Sequence, residues 1–293
     1  MLRVTDQSMA LAAQRALGAR QAQLAAAQEA AVSGVRITRP SDDPAGTADA
    51  LRVRAEIAAA NQAQRNISDG IGWLNTLDSA LDSATGLLRQ VRDAVIQGAN
   101  GSLNQEGRDA LAQQVDALRR DLFGAANTRY LGRSVFAGTS DAAAAFTDDT
   151  LPAFHGAAGA VERRIGRDQT VRVDADGAAT FGNGATSVFA LLGAISADLR
   201  ASTNPSSRLG DLDDWMTAVV ATRSDVGSRL AQLTRAAQAT TDATTALESR
   251  RSGIEDIDLG KAALDLQLQH TAYQAALAVT AKVLPPSLTD FLR

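Results

Sequence analysis

The chain has 293 residues, 29 of them basic and 33 acidic, for a formal net charge of −4. Hydrophobic residues make up 45% but aromatics only 4%, and there is no cysteine. Thiolate chemistry, disulfides and cysteine zinc sites are thereby excluded, and the interspersed charges offer nucleic acid no basic face. Much of the apolar fraction is alanine, which favours long, slim helices in close approach over a thick globular core. The opening "MLRVTDQSMALAAQRALGAR" lacks the continuous apolar run of a cleavable secretory signal. No stretch approaches the ~20 apolar residues that span a bilayer.

In the first segment Ala10, Ala13, Leu17, Arg20, Leu24, Ala27 and Ala31 recur at steps of three and four. This spacing predicts a helix with one thin stripe, flawed at Arg20. A lone helix with so little to bury is marginal in water. A flexible tail is the alternative for the isolated chain.

The stretch "RITRPSDDPAG", residues 36–46, sets two carboxylates between two prolines. Pro44 suits the first position of a helix, where its missing N–H costs nothing. Asp43 then becomes the N-cap, since a residue before proline is pushed out of the α region. Ser41 and Asp42 offer further acceptors for the orphan N–H groups, and Pro40 stiffens the approach. A Mg²⁺ or Ca²⁺ site would need more oxygen ligands than the stretch supplies. Arg36 and Arg39 are not explained by capping; contacts between subunits and plain solvation both remain open for them.

From about residue 45 to 98 one long helix is expected, with Ile67, Leu74, Leu81, Leu88 and Val95 every seven residues and Leu77, Ala84 and Val91 between them. "GANGSLN", 98–104, reads as a turn into an antiparallel helix carrying Leu111, Val115, Leu118 and Leu122. Residues 131–204 lose the heptads. There "TVRVDADGAATFG", 170–182, predicts a strand with Val171 and Val173 inward and a hairpin turn at Asp176-Gly177. "SVFALLGAISADLRA", 187–201, is helical again. The last third resumes the seven-residue step at Leu212, Val219, Val226, Leu233, Thr240, Leu247 and Ile254, until acidic residues interrupt it around 253–260. A final helix carries Leu259, Ala263, Leu266, Tyr273, Leu277 and Leu284, and Pro285-Pro286 should end or kink it. The fold class is thus mainly α: a long antiparallel coiled-coil rod built from both chain ends, with a small inserted β-rich domain.

Catalytic chemistry finds little purchase. His155 and His270 are the two histidines and stand far apart in sequence. No phosphate-binding glycine loop or nucleophile elbow occurs. The paired carboxylates Asp148-Asp149 and Asp213-Asp214 read as solvated pairs or helix starts. No enzyme, cofactor or metal is expected.

Several motifs together resemble one family. "GVRITRPSDDPAG" followed by "RNISDGIGWLNTLDSALDSATGLLRQVRDAVIQGANGSLN", 65–104, is similar to the N-terminal rod of bacterial flagellins. "YLGRSVFAGTSD", 130–141, "RSDVGSRLAQL", 223–233, and the stretch from "IEDIDLG" to "PSLTDFLR", 254–293, look like the later parts of the same superfamily. The two prolines of "RPSDDPAG" and the terminal "PSLTDFLR" look most like its hook-associated protein 3 branch, the hook–filament junction proteins.

The resemblance implies a structural protein. Residues 1–33 and 259–293 would pair as terminal helices of an inner tube, 34–140 and 205–258 would form the helical rod, and 141–204 a small outer β-rich domain. Leu17 and Leu24 would face Leu266, Tyr273, Leu277 and Leu284, and the joint would fall on Arg39, Pro40, Asp42, Asp43 and Pro44. The implied partners are other copies in a ring or tube, the first hook-associated protein, flagellin and a chaperone of the flagellar type III export apparatus. Nucleic acid and membrane insertion are not among them. The implied place is the extracellular flagellum at the hook–filament junction, reached without a cleavable signal; a filament subunit is the alternative. Some flagellins are recognised by an innate immune receptor through an arginine and a leucine. The matching positions here are Gln90 and Ala94, so the resemblance does not extend to that recognition.

Overall fold

A computed structural model describes residues 6–41, 43–101, 103–148, 152–157 and 159–283. The fold is mainly α, with long helices toward both chain ends and a small sheet-containing middle region. It divides into two compact units, residues 1–58 with 244–293, and residues 59–243.

In the first unit, α1 (Asp6–Ser33) packs along α7 (Leu259–Val283). Helix α1 ends at Gly34, whose φ of +69° suits the left-handed position that follows a helix; its N–H reaches Ala30 O at 3.0 Å. An antiparallel bridge then joins Val35 to Asp256. That bridge sets the end of α1 beside the start of α7, so the two helices run antiparallel. The unit also holds the start of α2 (Pro44–Gly98) and the end of α6 (Leu209–Glu255).

In the second unit the heptads of the sequence are the core. Ile67, Leu74, Leu77, Leu81, Ala84, Leu88, Val91 and Val95 of α2 have no solvent-exposed surface. The same holds for Leu212, Val219, Val226 and Leu233 of α6. Helix α3 (Gln105–Ala126) adds Leu111, Ala112, Val115, Leu118 and Leu122, and its N-cap Asn104 accepts from Gly107 N at 2.9 Å. Ion pairs bridge the helices outside the apolar seam, among them Arg92–Asp213 at 2.9 Å and Arg223–Asp78 at 2.8 Å.

The middle region holds three two-stranded antiparallel sheets: β1 (Arg129–Tyr130) with β2 (Arg133–Ser134), β3 (Phe146–Thr147) with β4 (Ala153–Phe154), and β5 (Glu162–Arg164) with β6 (Thr170–Arg172). Two helices follow, the short α4 (Gly177–Phe181) and α5 (Val188–Arg200), which packs on α3. Val171 and Val173 point inward as expected, with 4% and 0% exposure. The turn expected at Asp176-Gly177 is not one. Asp176 caps α4, its Oδ1 accepting from Ala178 N at 2.9 Å, and β6 pairs backward with β5. A carboxylate before a glycine serves either structure, and here the five residues after the carboxylate continue as helix.

The low aromatic content proves concentrated rather than merely sparse. Six of the seven phenylalanines, Phe123, Phe136, Phe146, Phe154, Phe181 and Phe189, form one cluster. Phe123 stacks on Phe189 at 4.0 Å, and Phe146 meets Phe154, Phe181 and Phe189 at 5.1 to 5.8 Å. Their neighbourhood is fastened to α3 by Asn127, whose side chain accepts from Phe146 N and donates to Phe146 O, both at 2.9 Å. Asp174, with no exposed surface, accepts from Val161 N at 2.9 Å and from Arg172 Nε at 2.8 Å, so no buried charge stands unpaired there.

Candidate assembly surface

The terminal pair is the least buried part of the fold. Ala13, Leu17, Leu24, Ala27, Ala30 and Ala31 of α1 are half-buried, and no described residue of α1 is fully buried. Arg20, the flaw in the stripe, is exposed and donates to Gln23 Oε1 at 3.0 Å. Ala10 has no described side chain. On α7 the half-buried row is Ala262, Leu266, Gln269, Ala272, Tyr273 and Ala276, completed by Thr280, the one buried residue among those described in this helix.

That row corrects the expected phase of α7. Leu259 is 68% exposed and Leu277 42% exposed, and Ala263 is exposed as well. From Tyr273 the seam steps by three to Ala276 and by four to Thr280, which rotates Leu277 toward the edge. Alanine supplies most of the seam, with Leu17, Leu24, Leu266 and Tyr273 half-buried in it, and the other leucines of α7 are left outside it. Leu264 and Leu268 are 68% and 67% exposed, and Val279 is 61% exposed. On α1, Met9 and Leu11 are 43% and 51% exposed. Apolar side chains this exposed, on two long adjacent helices, mark a surface meant for covering. Leu284 and Pro285-Pro286 lie outside the described residues.

The joint after α1 is built from charges meeting helix ends. Asp43 Oδ1 accepts from Gly46 N at 2.8 Å, and the Asp43 carbonyl accepts from Thr47 N and Thr47 Oγ1, both at 2.8 Å. The carboxylate folds so closely over the helix that a Cβ at Gly46 would overlap it and Ile37 Cδ1. Pro44 is the first residue of α2. Asp42 lies outside the described residues. Pro40 is exposed, in the turn ahead of Asp43.

Arg36, which local rules left open, is engaged within the chain. Its Nη2 and Nε donate to Ile254 O at 2.9 and 3.3 Å, and Nη2 lies 3.5 Å from Asp43 Oδ2. One guanidinium thus satisfies an orphan carbonyl at the end of α6 and touches the carboxylate that starts α2. Both positions suit the helix dipoles: a cation at a C-terminus, an anion at an N-terminus. Arg39 likewise has a partner in its own chain, Glu29 at 3.6 Å.

Sequence reasoning passed over Arg54 and Glu255. The Glu255 side chain is only 4% exposed and sits between Arg54 Nε at 2.7 Å and Arg251 Nη1 at 3.2 Å. The signal was there in part: Glu255 stands where the heptad of α6 stops, and a carboxylate that ends an apolar seam without a local cap needs a distant cation.

Nothing in the described residues resembles a catalytic centre. No group of three or more His, Asp or Glu side chains among them is placed to hold a metal ion. His155 Nε2 shares a 2.9 Å hydrogen bond with Thr147 Oγ1, and His270 is exposed on α7. Asp148 pairs with Arg119 at 2.6 Å, and Asp213 with Arg92, as given above. No described helix is long and apolar enough to cross a membrane.

Comparison with known proteins agrees with this picture. The family model of the bacterial flagellin N-terminal helical region matches residues 4–141, and that of the bacterial flagellin C-terminal helical region matches 209–292. A flagellin of Halalkalibacterium halodurans is 26% identical over 287 residues, covering 97% of both chains. A flagellar filament 30.7 kDa core protein of Treponema maltophilum is 26% identical over 273 residues, 92% of each. Among solved structures, a flagellar hook-associated protein of Vibrio parahaemolyticus shares the fold with a TM-score of 0.68 at 22% identity, covering 73% of this chain and all of that one. Hook-associated protein 3 of Legionella pneumophila does so with a TM-score of 0.64 at 15% identity, covering 70% and 98%.

Proposed function

Since the chain belongs to the bacterial flagellin family, as a structural protein of the flagellum and not an enzyme, we propose that it is the junction subunit between hook and filament. In this reading one end of its assembly meets the first hook-associated protein and the other meets flagellin. The terminal pair α1–α7 carries the self-association, and the chain reaches its place through the flagellar type III export apparatus with a dedicated chaperone.

The observation that carries the proposal is the contrast between the two units. Residues 59–243 bury complete heptads, whereas the α1–α7 pair only half-buries nearly all of its seam and leaves Leu264 and Leu268 in solvent. Helices so poor in buried surface gain their order when neighbours cover them, at the cost of the entropy lost on ordering. Subunits then stay soluble until they reach the growing tip. The hook-associated likenesses of the fold, and the prolines of "RPSDDPAG", support the junction over the filament.

A filament subunit is the second reading, favoured by the curated flagellins that align along nearly the whole chain. A null strain separates the two. Junction loss leaves hooks intact and sheds flagellin into the medium. Loss of a filament subunit leaves a hook with its junction and no flagellin of this kind outside. Deleting residues 1–30 or 262–293 should leave residues 59–243 folded and abolish incorporation. Normal incorporation of either deletion would refute the role given to the terminal pair.

A further inference from the structure

The terminal pair has two unlike outer faces. On α7 the side turned away from the seam carries Leu264 and Leu268. On α1 the side turned away from α7 carries Ala22, Ala25 and Ala26, which with Glu29, Arg36 and Arg39 border an open trough of about 430 Å³. One face is a set of knobs and the other a hollow floored by methyl groups. The antiparallel bridge at Val35 and Asp256 sets both at the same end of the pair.

We propose that Leu264 and Leu268 of one copy dock into the α1 trough of a second copy of this chain. This rests on the self-association assigned above to the terminal pair, and gives it a direction. The contact joins two different patches, so it is heterologous, and repeating it builds a ring or a helical tube instead of a closed two-fold dimer. Size matches size, as large side chains of one helix enter gaps between small ones of another. The charges are compatible as well: Asp265, exposed and accepting from Gln269 of its own helix, would meet a rim where Arg36 and Arg39, although paired with Asp43 and Glu29, keep 54% and 69% of their side chains exposed to a further carboxylate. Two copies standing level would bring these patches together without axial displacement.

The absence of cysteine allows a direct test. Full-length chains carrying only Ala26→Cys and only Leu264→Cys are co-expressed in cells that build flagella, and isolated flagella are oxidised. A disulfide requires the two Cα atoms to lie within about 7 Å, so it reports this contact and not mere proximity. The expected product is the mixed 26–264 dimer, well above either 26–26 or 264–264. Leu264→Asp, whose side chain is exposed and whose change should leave the melting curve of the free subunit unaltered, should lower incorporation at least tenfold. Incorporation with only like-to-like dimers, or with none, overturns the docking and leaves the assembly role standing. Failure of the unsubstituted chain to incorporate overturns the assembly role, and the docking with it.

Discussion

The joint before α2 makes a sharp prediction about Asp43. Its Oδ1 caps Gly46 N at 2.8 Å, while Oδ2 lies 3.5 Å from Arg36 in a pair whose side chains are 34% and 54% exposed. A side-chain cap of this kind contributes about 1 kcal/mol. An ion pair this long and this exposed contributes a few tenths of a kcal/mol. Asp43→Ala removes both and should cost about 1.3 kcal/mol. Asp43→Asn and Asp43→Ser keep an acceptor near Gly46 N and lose only the charge, so each should cost about 0.3 kcal/mol. Hydrogen exchange is the assay, because it reports the first turn of α2 separately from residues 59–243. The Gly46 and Thr47 amides should exchange roughly eightfold faster in Asp43→Ala and less than twofold faster in the Asn and Ser variants. If Asn proved as damaging as Ala, the charge and not the cap would hold the joint. If Ala changed nothing, the reasoning would fail altogether.

Other expectations follow from the same geometry. Gly46→Ala should destabilise the start of α2, although alanine is the better helix former by about 1 kcal/mol, because its Cβ would displace the Asp43 carboxylate; faster exchange at Thr47 is the readout. Leu81→Ala, at a position without exposed surface, should cost about 3 kcal/mol in urea unfolding, whereas Leu266→Ala should barely move the same curve yet impair incorporation. Arg54→Met leaves the buried Glu255 carboxylate with Arg251 alone and should cost about 2 kcal/mol; an unchanged exchange rate at the Arg36 amide, which donates to Glu255 O at 2.6 Å, would contradict this. At Asp116 burial pushes the carboxyl pKa up, but hydrogen bonds from Arg200 and Ser196 and the nearby guanidinium charges outweigh it, holding it below 3.8. Its contribution is therefore present above pH 3.8 and fades as the pH falls through the lower folded value, so Asp116→Asn should flatten the acid limb of the stability curve and an unaltered limb would refute the pairing.

By itself the sequence determined what is local and periodic. Seven-residue steps from Ile67 to Val95 and from Leu212 to Leu233 place large apolar groups on one line of a helix, and the same line is buried, because period and packing obey one geometry. The start of α2 is equally local, since Asp43, Pro44 and Gly46 lie within one turn. Where side chains are small, that logic weakens: alanines on every face of α7 leave its phase unspecified, so packing against α1 selected the row through Ala262, Gln269 and Ala276 and left Leu277 outside. Tertiary structure alone decided the contacts between distant parts of the chain. Six phenylalanines scattered from 123 to 189 became one core only when helices α3, α4 and α5, the β3–β4 sheet and the segment at Phe136 came together. Arg36 found its purpose at Ile254, 218 residues away, and Glu255 found Arg54. Local pattern carries no information about such pairs, because their free energy exists only once the chain has folded back on itself.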